Sequence, residues 1–154
     1  MAKNVRYFVR DVLEFMYENL QGICEEQLNS DGEPLETVYT SHRPAVVENH
    51  SEFLVSYLSK SVYSHGPFQN AAAYVDIVVR NGQGGIERTY RLQEILDELC
   101  ERFPMTKYDE EDASKWRFIM KEPRLVISGD DQLGFTVWRL RASVVVNTTD
   151  RYYL

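Results

Sequence analysis

The sequence predicts an α+β fold: a mostly antiparallel sheet packed by two helices, in the order α-β-β-β-α-β-β, with a projecting hairpin. Three stretches predict it. In residues 72–80, Val75, Ile77 and Val79 alternate with Tyr74, Asp76 and Val78, the period of two of a pleated strand. After a glycine turn, NGQGG, residues 89–103 set Leu92, Ile95, Leu96, Leu99, Cys100 and Phe103 on one helical stripe. Residues 133–148 give the longest strand signal, with Trp138, Leu140, Ala142, Val144 and Val146 on one face and Arg139, Arg141 and Ser143 on the other.

The chain opens on a helix. Val5, Phe8, Val9, Val12, Leu13, Met16, Leu20 and Ile23 recur at steps of three and four, and Asn4 is suited to cap the first turn. Phe15 falls off that stripe, where it widens the buried face or meets a partner. NSDGEP at 29–34 reads as a turn, and residues 36–42 as a short strand ended by His42-Arg43-Pro44. Residues 45–51 carry no periodic signal and read as loop.

Residues 53–63, FLVSYLSKSVY, predict one strand, apolar at its start and polar toward its end. SHGPFQN at 64–70 then forms the tip of a projecting hairpin leading into residues 72–80. Pro104 stops the second helix, since proline cannot continue the hydrogen-bond ladder. Residues 105–115 read as a polar loop whose run Asp109, Glu110, Glu111 and Asp112 is expected to stay in solvent. Residues 117–127 resume strand character, with Pro123 predicting an edge position or a bulge. Residues 128–132 form a turn, and 150–154, DRYYL, a short C-terminal tail. All 154 residues fit one domain.

Composition narrows the class. At 44% hydrophobic and 27% charged the chain is ordinary for a folded domain. A formal charge of −7 opposes non-specific binding to nucleic acid or anionic membrane, though Arg139 and Arg141 sit two apart on one strand face. No leader-like apolar run opens the sequence, and no window is long and apolar enough to span a bilayer. Cys24 and Cys100 fall near apolar helix faces and read as buried free thiols. A protein made in a reducing compartment is expected.

Motifs with chemical meaning fare poorly. Gly129-Asp130-Asp131 echoes a metal-binding turn, but such chemistry needs a third carboxylate and a large framework, so a hairpin turn is the better reading. The NGQGG turn lacks the lysine and hydroxyl of a phosphate loop. His42, His50 and His65 match no zinc spacing, and the acidic run lacks the spaced ligands of a calcium loop. No cofactor, metal or catalytic residue is predicted, and the chain is not read as an enzyme.

The element order and texture of nearly the whole chain resemble the tail-terminator, or tail-completion, proteins of long-tailed bacteriophages. The opening helix at 5–23, the hairpin of 53–63 and 72–80, the helix at 89–103 and the closing strands at 117–127 and 133–146 carry the resemblance. The insert at 41–52 departs from it. The resemblance implies a structural virion protein, made in the host cytoplasm, that forms a homo-oligomeric ring, usually a hexamer, at the head-proximal end of the tail. It would end tube polymerisation and join the tail tube protein to the head connector, with DNA passing the lumen unbound. Candidate interface residues are Phe68, Arg139, Arg141, Tyr152, Tyr153, Asp109, Glu110 and Glu111. Another neck or tail-tube component of similar fold is the alternative within that class, and a small cytoplasmic ligand-binding domain the alternative outside it.

Overall fold

The structure is a computed structural model that describes residues 5–26, 38–40, 52–58, 63–65, 68–109, 111–131 and 133–147. It is a mixed α+β fold of two helices on a sheet. In chain order the elements are α1 (Val5–Glu26), β1 (Val38–Thr40), β2 (Glu52–Leu58), β3 (Tyr63–His65), β4 (Phe68–Arg80), α2 (Thr89–Glu101), β5 (Met105–Tyr108), β6 (Trp116–Asp130) and β7 (Phe135–Asn147). The main sheet runs β1-β2-β4-β7-β6-β5, with β3 paired to β4 off this path. All pairs are antiparallel except β1 with β2.

Period decides burial on both sides of the main interface. On β4, Ala71, Ala73, Val75, Ile77 and Val79 face the helices, and on β7 the same face carries Trp138, Leu140, Val144 and Val146. Val12, Met16 and Leu20 of α1 and Leu92, Ile95 and Leu99 of α2 close over them. At about 1.5–3 kcal/mol for each fully buried large side chain, this layer is the main source of stability. Phe15 belongs to it: its ring meets Phe118 edge-on at 5.1 Å, widening the buried face of α1. Beside this contact Arg117 Nη2 donates to Asp11 Oδ2 at 2.9 Å, tying α1 to β6. A smaller cluster of Phe53, Val55, Val78 and Phe135 lies on the opposite face of the sheet.

Several expectations change in detail. Of the single strand expected over 53–63, residues 53–58 belong to β2, residues 59–62 lie outside the described residues, and Tyr63–His65 pairs with Phe68–Asn70, so β4 starts before residue 72. The polar loop expected at 105–115 begins with β5, whose Met105 is buried opposite Met120. Strand β6 continues through the expected turn at 128, because Ser128, Gly129 and Asp130 still pair with Trp138, Val137 and Thr136. Pro123 sits at a register shift between Lys121 and Arg124, where Glu122 takes φ of 57°. The Asn4 cap, the loop at 45–51 and the tail at 150–154 lie outside the described residues.

Candidate assembly surface

The helix-free face of the sheet holds the most elaborate polar cluster. Register sets Val55 opposite Asp76 and Asp76 opposite Arg139, so three neighbouring strands bring their side chains together. Asp76 is 7% exposed. Arg139 grips its carboxylate with two bonds, Nε to Oδ1 at 2.8 Å and Nη2 to Oδ2 at 3.1 Å. The Tyr57 hydroxyl donates to the same Oδ1 at 3.2 Å, and the Tyr57 ring stacks on Tyr74 with centroids 5.1 Å apart. The Arg139 guanidinium also lies 5.5 Å from the Tyr57 ring centre. Such a pair offsets the cost of burying a carboxylate by two charge-assisted bonds.

Arg139, a candidate interface residue, thus has its guanidinium bonded within the sheet, and the sequence hid this because Asp76 lies 63 residues away. Burial first and the Asp76 charge second push the Tyr57 phenol well above its ordinary value, with Arg139 pulling the other way. Its folded value therefore exceeds its unfolded one. The stability it contributes is complete below about pH 10 and is lost as pH rises toward the folded value. In a spectrophotometric alkaline titration, wild type is expected to hold one late-ionising phenol that Tyr57→Phe removes. A variant curve that superimposes on wild type at the late end would refute the linkage.

The acidic run also changes. Asp109 is buried, not solvated, because its Oδ1 accepts the amides of Glu111 at 2.9 Å and Asp112 at 3.0 Å and so shapes the turn. Glu111 is exposed, and Glu110 lies outside the described residues. Phe68 opens β4 opposite Asn147, while Tyr152 and Tyr153 lie outside the described residues. Arg141, half-buried on the helix-free face, makes no ion pair among the described residues.

The glycine turn serves itself. Gly82 N donates to Ile86 O at 2.7 Å and Gly85 N to Gly82 O at 3.0 Å, while Gly84 and Gly85 take positive φ that other residues rarely adopt. Asp131 closes the last hairpin, its Oδ1 accepting the amides of Leu133 and Phe135 at 2.8 and 3.1 Å. No three metal-ligating side chains converge among the described residues. No helix there is long and apolar enough to cross a membrane.

The edge position or bulge expected at Pro123 falls in the half of β6 that β5 leaves uncovered. Strand β5 pairs only with residues 116–120, so beyond Met120 the outer edge of β6 has no neighbouring strand among the described residues. Leu125 and Val126 there are 43% and 46% exposed. On α2, Tyr90 is 89% exposed, and Ile86 just before the helix is 69% exposed. Pro123 was a sequence signal for the edge. Tyr90 had one too, since it falls off the Leu92–Ile95–Leu99 stripe. Comparison of the chain with models of known protein families and with curated proteins finds no match.

Proposed function

We propose that the chain is a structural subunit of a homo-oligomeric ring, a tail-terminator or tail-completion protein of the kind its sequence resembles. In that role a hexamer caps the head-proximal end of a phage tail tube, ends its polymerisation and presents a face to the head connector. The observation that carries the reading is the outer edge of β6 over residues 121–130, which no described strand pairs, with Leu125 and Val126 exposed on it. Unpaired strand edges recruit other chains, and a contact between two different surfaces of identical subunits closes into rings. The hairpin of β3 and β4 is the arm that the reading extends toward a neighbour. A net charge of −7 keeps DNA in transit from adhering to the lumen.

Light scattering after gel filtration, together with negative-stain microscopy, tests this reading. The purified protein is expected to form six-membered rings, alone or on contact with tube protein. A monomer that stays monomeric with tube protein present, and holds a metabolite in a closed cavity, would refute it.

A further inference from the structure

The helix-free face of β6 and β7 carries three cations that no described residue balances. Lys121 lies opposite Ser143 and Arg124 opposite Arg141, so all three basic side chains share the face opposite the helices. None makes an ion pair among the described residues. Arg124 and Arg141 are cross-strand partners of like charge, an arrangement that destabilises a sheet unless an anion relieves it. Strand spacing and rise place the three within roughly 10 Å of each other. The chain carries 24 acidic against 17 basic residues, so a cluster of unpaired cations is unexpected. Arg139 beside it shows the alternative outcome, since Asp76 pairs with that guanidinium.

The complement stands on the opposite side of the same molecule. Tyr90, Glu94, Asp97 and Glu101 follow one another at three- and four-residue steps along the exposed face of α2. Glu94 is engaged by Arg91, but Asp97 bonds only the neutral Gln93, and Glu101 makes no ion pair among the described residues. An exposed apolar pair, Ile86 and Tyr90, sits at one end of this stripe. Charge thus matches between two non-overlapping faces of one chain. Because β5 stops short of residue 121, no strand among the described residues pairs with the outer edge of β6 there.

We infer that Lys121, Arg124 and Arg141 receive the acidic outer face of α2, through Asp97 and Glu101, from a second copy of this chain. This inference rests on the ring reading and specifies its interface. The contact joins two different surfaces, so each subunit donates α2 to one neighbour and offers its sheet face to the other. Oppositely charged faces also set the register and exclude the like-charged alternatives, sheet face to sheet face and helix to helix.

Two charge-reversal variants test it. Arg124→Glu with Arg141→Glu makes both faces acidic, and Asp97→Lys with Glu101→Lys makes both basic. All four positions are on the surface or half-buried, and circular dichroism melts check that each variant folds. Each variant alone is expected to lose assembly at least tenfold relative to wild type at the same concentration. Mixed in equal amounts, they are expected to restore rings in which the two variants alternate, which damage to the fold cannot produce. Wild-type rings are expected to weaken as salt rises.

Folded variants that assemble as wild type would overturn this interface and leave the ring reading standing. A wild type that remains monomeric under all conditions, tube protein included, would overturn both. If wild type retards short DNA, Arg124→Glu with Arg141→Glu abolishes that binding and ring formation is unaffected, the cations serve nucleic acid and the inference fails.

Discussion

Glu52→Ala is expected to cost about 3–5 kcal/mol of folding stability and to lower the melting temperature by roughly 10 °C. Glu52 begins β2 and is 2% exposed, yet it carries a carboxylate. Arg91 of α2 satisfies it, with Nε donating to Oε1 at 3.1 Å and Oε2 at 3.0 Å and Nη2 donating to Oε1. Burial opposes the Arg91 charge, but the bonds and charge of Glu52 outweigh it and hold the guanidinium above its ordinary value. Truncating Glu52 strips that largely buried cation of its buried carboxylate and leaves the exposed Glu94, 3.1 Å away, beside it. Replacing both partners, Glu52→Leu with Arg91→Met, is expected to recover most of the loss, because no charge then remains to be solvated. Urea denaturation of the single and double variants decides the matter. A double variant no more stable than the single would show that the pair acts through packing alone.

Phe118→Ala is the second large effect, about 3–5 kcal/mol. The side chain has no exposed surface and lies on the helix-facing side of β6, across from Val146. It is also the seat for Phe15, so its loss opens a cavity where α1 meets β6. Phe15→Ala is expected to cost less, since Phe15 is only partly buried. Equal costs for the two, or less than about 1.5 kcal/mol for Phe118→Ala, would mean that α1 collapses onto the gap.

The residues that spoke clearly in the sequence were those whose role is local. The three- and four-residue steps of Val12, Met16 and Leu20 placed α1, and the alternation from Trp138 to Val146 placed β7 with the correct face inward. Periodicity says which side of an element is buried and is silent on what lies beside it. Partnership across distance was therefore lost: the pairing of Asp76 with Arg139, the parallel seat of β1 on β2, and the buried ion pair of Glu52 with Arg91. Strand β5 was missed because Thr106 and Lys107 blur its alternation, and its existence depends on the partner that β6 supplies. Polarity misled at Asp109, where a carboxylate is buried by bonding its own turn. On the candidate surface, Arg141 was named from the sequence, whereas Lys121, Arg124 and Tyr90 became meaningful only once register and exposure were known.

The position of β7 has a consequence for how the chain comes into being. It is the last described strand to be synthesised, yet it lies between β4 and β6 and hydrogen-bonds both. A ribosome that has not yet released residues 135–147 holds two partial sheets with facing unsatisfied edges. The molecule must wait for β7 to join them. Premature termination anywhere before β7 therefore yields exposed strand edges, a product for chaperones and proteases and not a smaller version of the fold.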